Sequence, residues 1–296
     1  MRLFSGLWRG VAGLVFLLAH PATAADERIE ATYNFIWNGF VVFTAEVAVA
    51  RDAETYEARM DIRTRGVARL FSRGNGTLTA TGTIGSDGQV IPAEFVSEGR
   101  WDGKDYRKAM WFDPEGKFLR WERDWPEKWL EDYSREPVPE ELKRGPDGLS
   151  VVMLLLREEI PTNVQIFDGD YVMKMGLVCE DKTTVIKESS HSPFHGPSQK
   201  CQFEGETIAG QIIETEEQIK KRLKEEEKAR KRAEKYARKH GGEAPEEDEE
   251  GLPIWFQEIE GLGYRLPVRA SFKSSWGTVT MYLKELSTAD GLHFEP

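Results

Sequence analysis

Between Glu54 and Trp101 apolar and polar residues take turns along the chain. Tyr56, Ala58, Met60, Ile62 and Thr64 fall on one side, Glu57, Arg59, Asp61, Arg63 and Arg65 on the other. Only a β-strand repeats every two residues, so the pattern predicts a strand with one buried face and one wet, charged face. Arg73-Gly74-Asn75-Gly76 reads as a turn. Thr77, Thr79, Thr81 and Thr83 then interleave with Leu78, Ala80, Gly82 and Ile84, and Ser86-Asp87-Gly88 turns into a strand from Val90 to Glu98.

The same alternation extends both ways. Upstream, Ile29, Ala31, Tyr33, Phe35 and Trp37 alternate with Arg28, Glu30, Thr32 and Asn34. Asn38-Gly39 suits a tight hairpin, because both residues tolerate positive φ, and Phe43, Ala45, Val47 and Val49 continue beyond it. Downstream, Asp102-Gly103 turns into Tyr106, Lys108, Met110 and Phe112, and Asp113-Pro114-Glu115-Gly116 turns into Phe118 to Arg123. About seven consecutive antiparallel strands are enough to curl strongly or close into a barrel.

Two segments break the pattern. After a Pro-punctuated acidic loop (residues 124–146), Asp147 caps a predicted helix from Gly148 to Glu159, apolar nearly all round. Such a helix is buried on most sides and is expected to plug the concave face of the sheet. Strands resume at Val164–Phe167, Tyr171–Cys179, Lys182–Lys187 and Gln199–Gly205. Residues 214–239 then hold seven acids, eleven bases and no Gly or Pro. Pairs such as Glu216–Lys220 and Glu227–Lys231, spaced i,i+4, predict a solvated helix about 40 Å long with only a thin apolar seam. An acidic return, Glu243 to Glu250, and three closing strands (Leu252–Glu260, Arg265–Phe272, Thr278–Leu286) complete the chain. The predicted class is mainly β: an antiparallel meander forming a barrel or half-barrel, with one short buried helix and one long charged inserted helix. Residues 25–296 form one expected barrel-like domain, and the helical insertion occupies 211–250.

Residues 1–24 stand apart. Arg2 and Arg9 precede the apolar run Val11–Ala19, and Ala22-Thr23-Ala24 offers a small-residue cleavage site, the layout of a secretory signal peptide. No Cys follows that site, which argues against a lipid anchor. Losing the two arginines would take the net charge from −11 to −13. So acidic a chain is poorly suited to nucleic acid, and no second apolar run approaches spanning length, so the cleaved protein is not expected to span a membrane.

Catalytic and metal signatures are missing: there is no Gly-x-Ser-x-Gly elbow, phosphate loop or His-Glu-x-x-His. His191 and His195 lie near Cys179 and Cys201, but the spacing matches no recognised finger and Pro193 separates the pair. No catalytic residue, metal or cofactor is therefore assigned. Arg63 and Arg65 belong to the wet face, as surface ion pairs or the lining of a polar groove. The aromatic residues carry more. Trp101, Trp111, Trp121, Trp125 and Trp129 fall within 29 residues. Either they fill the core and cover the barrel mouth or, with Leu149 and Met153, they frame a ligand groove. Cys179 and Cys201 are the candidate disulfide. An oxidising compartment and matching strand phase favour it. A meander with a separate strand at Lys182–Lys187 opposes it, by placing the two far beyond bonding reach.

Six short patterns occur together. They are Arg63-Thr64-Arg65-Gly66 with Leu70-Phe71-Ser72, Ser97 to Trp101, Asp147-Gly148-Leu149-Ser150, Ile166-Phe167-Asp168-Gly169, Lys200-Cys201 through Ile208-Ala209-Gly210, and Leu266-Pro267-Val268-Arg269. Their order resembles domain-of-unknown-function family 3108, exported proteins of Gram-negative bacteria. That resemblance covers about residues 30–286 apart from the insertion, and implies a periplasmic, mainly β, barrel-like fold and no reaction. Many members carry a Cys just before the Phe-Asp-Gly turn, where this chain has Pro161-Thr162-Asn163. The expected function is non-catalytic: a periplasmic envelope protein binding an acyl chain or lipoprotein in an aromatic-lined groove. An envelope module gripping a protein partner through the 214–239 helix is the alternative, and a hydrolase the third.

Overall fold

The computed structural model describes residues 27–132, 134–156, 162–240, 252–274 and 277–295. The expected leader, Tyr133, the end of the expected plug helix and the acidic return at 243–250 lie outside the described residues.

The first run of strands is β1 (Glu27–Trp37), β2 (Phe40–Arg51), β3 (Thr55–Thr64), β4 (Gly74–Ile84), β5 (Val90–Trp101), β6 (Lys104–Phe112) and β7 (Phe118–Asp124). The second is β8 (Val164–Phe167), β9 (Val172–Ile186), β10 (Gly196–Ala209), β11 (Leu252–Glu258), β12 (Arg265–Ser274), β13 (Gly277–Thr288) and the short β14 (His293–Phe294). Helices α1 (Glu127–Asp132) and α2 (Val152–Leu155) lie between the runs, and α3 (Glu216–His240) lies between β10 and β11. All strand pairs are antiparallel. The second run returns until β13 pairs with β1, so the sheet order is β7-β6-β5-β4-β3-β2-β1-β13-β12-β11-β10-β9-β8, with β14 on β13. The edges β7 and β8 face each other across an open seam; among the described residues no ladder joins them.

The register sorts inward-facing side chains into levels along the barrel. One level holds Ile29, Val49, Ala58, Ala80, Phe95 and Met110, none more than 4% exposed. Further along lie Tyr33, Ala45, Ile62, Gly76, Gly99 and Tyr106. The last level, beside the β1–β2, β3–β4 and β5–β6 turns, holds Phe35, Phe43, Thr64 and, opposite Gly74, Trp101. Gly74 is required there: a Cβ on it would lie 2.1 Å from the Trp101 ring.

The plug sits at the first of these ends. Asp147 is wholly buried, and its Oδ1 accepts the backbone N–H groups of Leu149 and Ser150, each at 2.9 Å. Ser150 Oγ donates to Asp147 Oδ2 at 2.5 Å and accepts from the Tyr56 hydroxyl on β3 at 2.7 Å. This relay ties the plug to the wall. Burial raises the Asp147 carboxyl above its ordinary range, against the opposing pull of these hydrogen bonds. Leu149, Met153, Leu154 and Leu156 then pack into the main core with Met110, Phe112 and Phe167.

The structure revises one part of the predicted topology. The segments Tyr171–Cys179 and Lys182–Lys187 are not separate strands but one strand, β9, of 15 residues. It forms a long hairpin with β10 in which Cys179 and Cys201 are directly opposed. The meander objection therefore disappears, and the two are joined by a disulfide within a small satellite cluster that includes Leu177 and Phe256.

Opening that bond should cost stability. The cysteines are 22 residues apart in sequence, and releasing a loop of that size costs about 3 kcal/mol in the chain-entropy picture. Cys179→Ala/Cys201→Ala should shift a urea midpoint accordingly, and adding reductant to the wild type should do the same. The inserted helix should matter far less. Its described apolar side chains Ile219 and Leu223 are 37% and 53% exposed. Replacing Thr215–Glu250 by a short Gly/Ser turn, which keeps the Arg135–Ile212 bridge, should leave the thermal midpoint within a few degrees.

Candidate functional site: an aromatic cup beside a polar seam

Two inward positions on β6 and β7, Lys108 and Arg123, carry charge where the wall is otherwise apolar. They meet the tight β8–β9 turn, Asp168-Gly169-Asp170. Lys108 Nζ donates to the Asp168 backbone oxygen at 2.5 Å and to its Oδ2 at 2.8 Å, with the lysine side chain only 6% exposed. Arg123 pairs with Asp170 at 2.9 Å, and Arg135, from the loop after α1, approaches the same carboxylate at 3.8 Å. Arg135 also donates to the Gly210 carbonyl at 2.7 Å, and its guanidinium lies over the Tyr171 ring. Burial, with the Asp168 carboxylate next in weight, pushes the Tyr171 hydroxyl up to about 12.

Apolar contacts accompany the charges. Phe118 on β7 packs edge-on against Phe167 on β8 at 5.1 Å. Gly169 adopts φ +88, and a Cβ there would stand 2.7 Å from the Trp121 ring. A glycine serves both the left-handed turn and the close approach. Among the described residues no ladder joins β7 to β8 directly. The seam is closed by these side chains and by the segment before the plug, where Phe118 N–H donates to the Lys143 carbonyl at 2.9 Å and Phe167 N–H to the Pro146 carbonyl at 3.1 Å.

On the side of the last level, aromatic rings line the inward face. Phe43 stacks with Trp101 at 6.3 Å, Phe35 meets Phe43 at 6.5 Å, and Phe35 meets Phe272 at 5.9 Å. Tyr106 meets Trp129 at 5.7 Å, and Trp129 meets Trp125 edge-on at 6.3 Å. Burial raises the Tyr106 hydroxyl above its usual range. Phe35, Phe43, Trp101, Tyr106, Trp125 and Trp129 are all half-buried, in contrast to the sealed level beside the plug. These two ring clusters, both at the end of the barrel away from the plug, together make up what is termed the aromatic cup.

The five tryptophans singled out in the sequence divide. Trp101, Trp125 and Trp129 belong to the cup, while Trp121 sits in the seam with Arg123 over its ring at 4.4 Å. Trp111 lies on the opposite face between buried Met110 and Phe112, and Arg120 stacks on it at 3.6 Å. Leu149 and Met153 are packed core, 4% and 2% exposed, beside the plug relay. Phe35, Phe43, Tyr106 and Phe272 join the cup without having been singled out; their signal is strand phase combined with level, and level depends on pairing register. Cys179 and Cys201 hold each other and are not free thiolates. His191 packs beside Tyr282, and the described residues contain no group of three His, Cys, Asp or Glu side chains able to hold a metal.

Two grooves flank these features. One, about 540 Å³, runs over the outer face and is lined by side chains of both signs, among them Glu46, Asp61, Arg63, Glu98 and Arg107. Much of that charge is compensated in place, by Arg63–Glu46 and Arg107–Glu98 pairs. The other, about 360 Å³, is lined by Arg63, Arg65, Arg69, Arg73 and Arg100 with no carboxylate.

Together these features define a mainly antiparallel β-barrel-like protein, plugged at one end and not closed by its backbone. The family model for proteins of unknown function DUF3108 matches residues 29–284, and the chain belongs to that family. A comparison with curated proteins found no match. Among solved structures the chain is similar to the β-barrel-like protein of domain of unknown function DUF1849 from Brucella abortus. Identity is 12%, with 89% of this chain and 98% of that chain covered and a TM-score of 0.41.

The seam makes a quantitative test possible. Asp168→Ala would strand the Lys108 ammonium in its buried site, and breaking a buried pair from one side costs about 3–5 kcal/mol. Lys108→Met combined with Asp168→Asn removes the charge together with its partner and should cost much less. Urea unfolding of the two variants should rank them in that order.

Proposed function

We propose that the protein is a non-catalytic envelope protein that holds an acyl chain, carried by a lipid or lipoprotein, in the aromatic cup. The observation that carries this reading is the gradient of burial along the barrel. At one end the plug fills the interior, with Met110 and Phe167 fully buried. At the other the inward rings of Phe35, Phe43, Trp101, Tyr106 and Trp129 remain half-exposed. Aromatic, concave surface of this kind suits an apolar chain, whose burial contributes about 25 cal/mol per Å². The disulfide suits an oxidising compartment, and with the expected leader it supports a periplasmic location.

A second reading has its own observation. Ile219 and Leu223 are 37% and 53% exposed in the first turns of α3, on a helix otherwise dominated by charge. A protein partner gripping α3 would cover them, and the deletion described above would then abolish that interaction while sparing the fold.

A fluorescent fatty acid tests the first reading. It should bind saturably and quench tryptophan emission. Trp129→Ala with Trp125→Ala should weaken binding by about tenfold, the scale of one lost aromatic contact of 1.5 kcal/mol. Trp111→Ala, on the outer face, should leave affinity unchanged. No saturable binding up to high micromolar probe would rule the cup out as an acyl site.

A further inference from the structure

The turns at the open end carry a second feature, independent of what the cup binds. Between β3 and β4 the chain makes a 3-10 turn, Gly66–Leu70. It is fastened to β2 by Arg65 N–H donating to the Val42 carbonyl at 2.8 Å. The Asp102 carboxylate of the β5–β6 turn holds the loop from the other side, accepting from Arg73 N–H at 2.7 Å and from Ser72 Oγ at 3.2 Å. That acid binds a backbone amide and a hydroxyl, so it fixes the loop without pairing with a guanidinium.

The guanidiniums are left positive. Arg65 Nε donates to the neutral Thr44 hydroxyl at 3.3 Å, and Arg73 Nε to the Arg69 carbonyl at 3.0 Å. Among the described residues, Arg65, Arg69 and Arg73 make no ion pair, whereas Arg63 pairs with Glu46 and Arg100 lies 3.6 Å from Asp105. Partial burial, then the charges of Arg63 and Arg69, lower the Arg65 pKa. Five arginines thus line one groove in a chain of net charge −11. Beside them are the most exposed large apolar side chains of the barrel's open end: Leu70 at 78%, Phe71 at 69% and Phe40 at 57%. Phe40 shares a groove with Arg65 and Val67. Isolated exposed apolar residues are ordinary, but these stand together on one rim and amid unpaired cations.

We propose that this rim, Arg65, Arg69, Arg73 and Arg100 with Leu70, Phe71 and Phe40, docks on an anionic lipid surface. The arginines would meet headgroup phosphates, and the leucine and phenylalanines would enter the headgroup–acyl boundary. This division of labour is that of interfacial membrane-binding segments. A soluble phosphate or nucleic acid would use the cations but gain nothing from the apolar tip. Docking in this orientation also places the mouth of the cup against the leaflet.

Vesicle co-sedimentation of the whole protein tests it, using phosphatidylcholine alone and phosphatidylcholine with phosphatidylglycerol. Binding is expected only with phosphatidylglycerol, and should weaken as salt rises. Arg69→Ala/Arg73→Ala should reduce partitioning about 30-fold, from roughly 1 kcal/mol per basic residue near the surface. Arg69→Lys/Arg73→Lys should retain it, and Leu70→Ser/Phe71→Ser should lose it at unchanged net charge. Circular dichroism checks that each variant is folded. Equal binding to both vesicle types, no binding to either, release by millimolar inorganic phosphate at constant ionic strength, or alanine variants that bind like the wild type would each overturn the proposal. The same variants should bind monomeric fluorescent fatty acid normally. Loss of vesicle binding alone therefore concerns the rim, and failure of fatty-acid binding alone concerns the cup.

Discussion

The structure depends on the need to pair one buried ammonium. Lys108 points into the barrel from β6, 5.9 Å from the Phe95 ring, with almost no access to water. A charge in such a place is tolerated only when hydrogen-bonded to an opposite charge. The partner is the Asp168 turn, sixty residues away in sequence. Meeting that requirement brings β8 beside β7 and converts a curled sheet into a barrel. Buried pairs contribute little net stability compared with apolar packing, but they tolerate no displacement. Here the pair sets where the edges meet. It also addresses a general hazard, since two unpaired edges would otherwise invite association with another chain.

Closure by side chains and by the 143–146 segment, rather than by a direct ladder, has a consequence for the interior. Because no backbone register joins β7 to β8, the connecting segment can pass across the opening. It lays Trp125 and Trp129 beside Tyr106 before crossing to the plug. The plug is then held at the far end by the Tyr56–Ser150–Asp147 relay. Burying Asp147 opposes folding when it is ionised, yet its oxygens satisfy two amides and a hydroxyl that would be orphaned around an apolar substitute. One segment of chain thus packs one end of the barrel and leaves the other lined with half-covered rings.

How much of this was legible in the sequence follows from the kind of information each element carries. Period two in β1 to β7 reports which face is buried, and the strands lie where alternation places them, although β4 begins at Gly74 within residues that read as a turn. The apolar run after Asp147 is buried as its composition demands. Level along the barrel is set by register between strands, and single-strand patterns do not contain it. Phe35, Phe43 and Trp101 therefore come together only in three dimensions. Phase alone could have separated Trp111 from the others, because Met110 and Phe112 on either side are buried. The charged stretch Glu180-Asp181-Lys182 reads as a break; it is the exposed middle of the long strand β9, where the register against β10 shifts between Gln199 and Cys201 without ending the strand. Asp168 looks like a turn former, and Lys108, in phase with Tyr106, Met110 and Phe112, shows no partner until the seam is assembled.

Charge is as unevenly placed as apolar surface, and the two distributions coincide at the mouth. Over most of the outer sheet, acids and bases compensate one another, along a strand as in Arg59 with Asp61 and across strands as in Arg107 with Glu98 and Glu122. Among the described residues, Arg65, Arg69 and Arg73 at the rim have no such carboxylate partners. At physiological ionic strength the screening length is about 8 Å, so a surface approaching the molecule senses the nearest charges rather than the total. An anionic surface would therefore be attracted at the rim and repelled or ignored over the charge-compensated outer sheet. The acidic balance of the chain, which by itself suggests avoidance of such surfaces, instead sharpens orientation on the barrel: the attractive face of the sheet lies beside the opening of the cup.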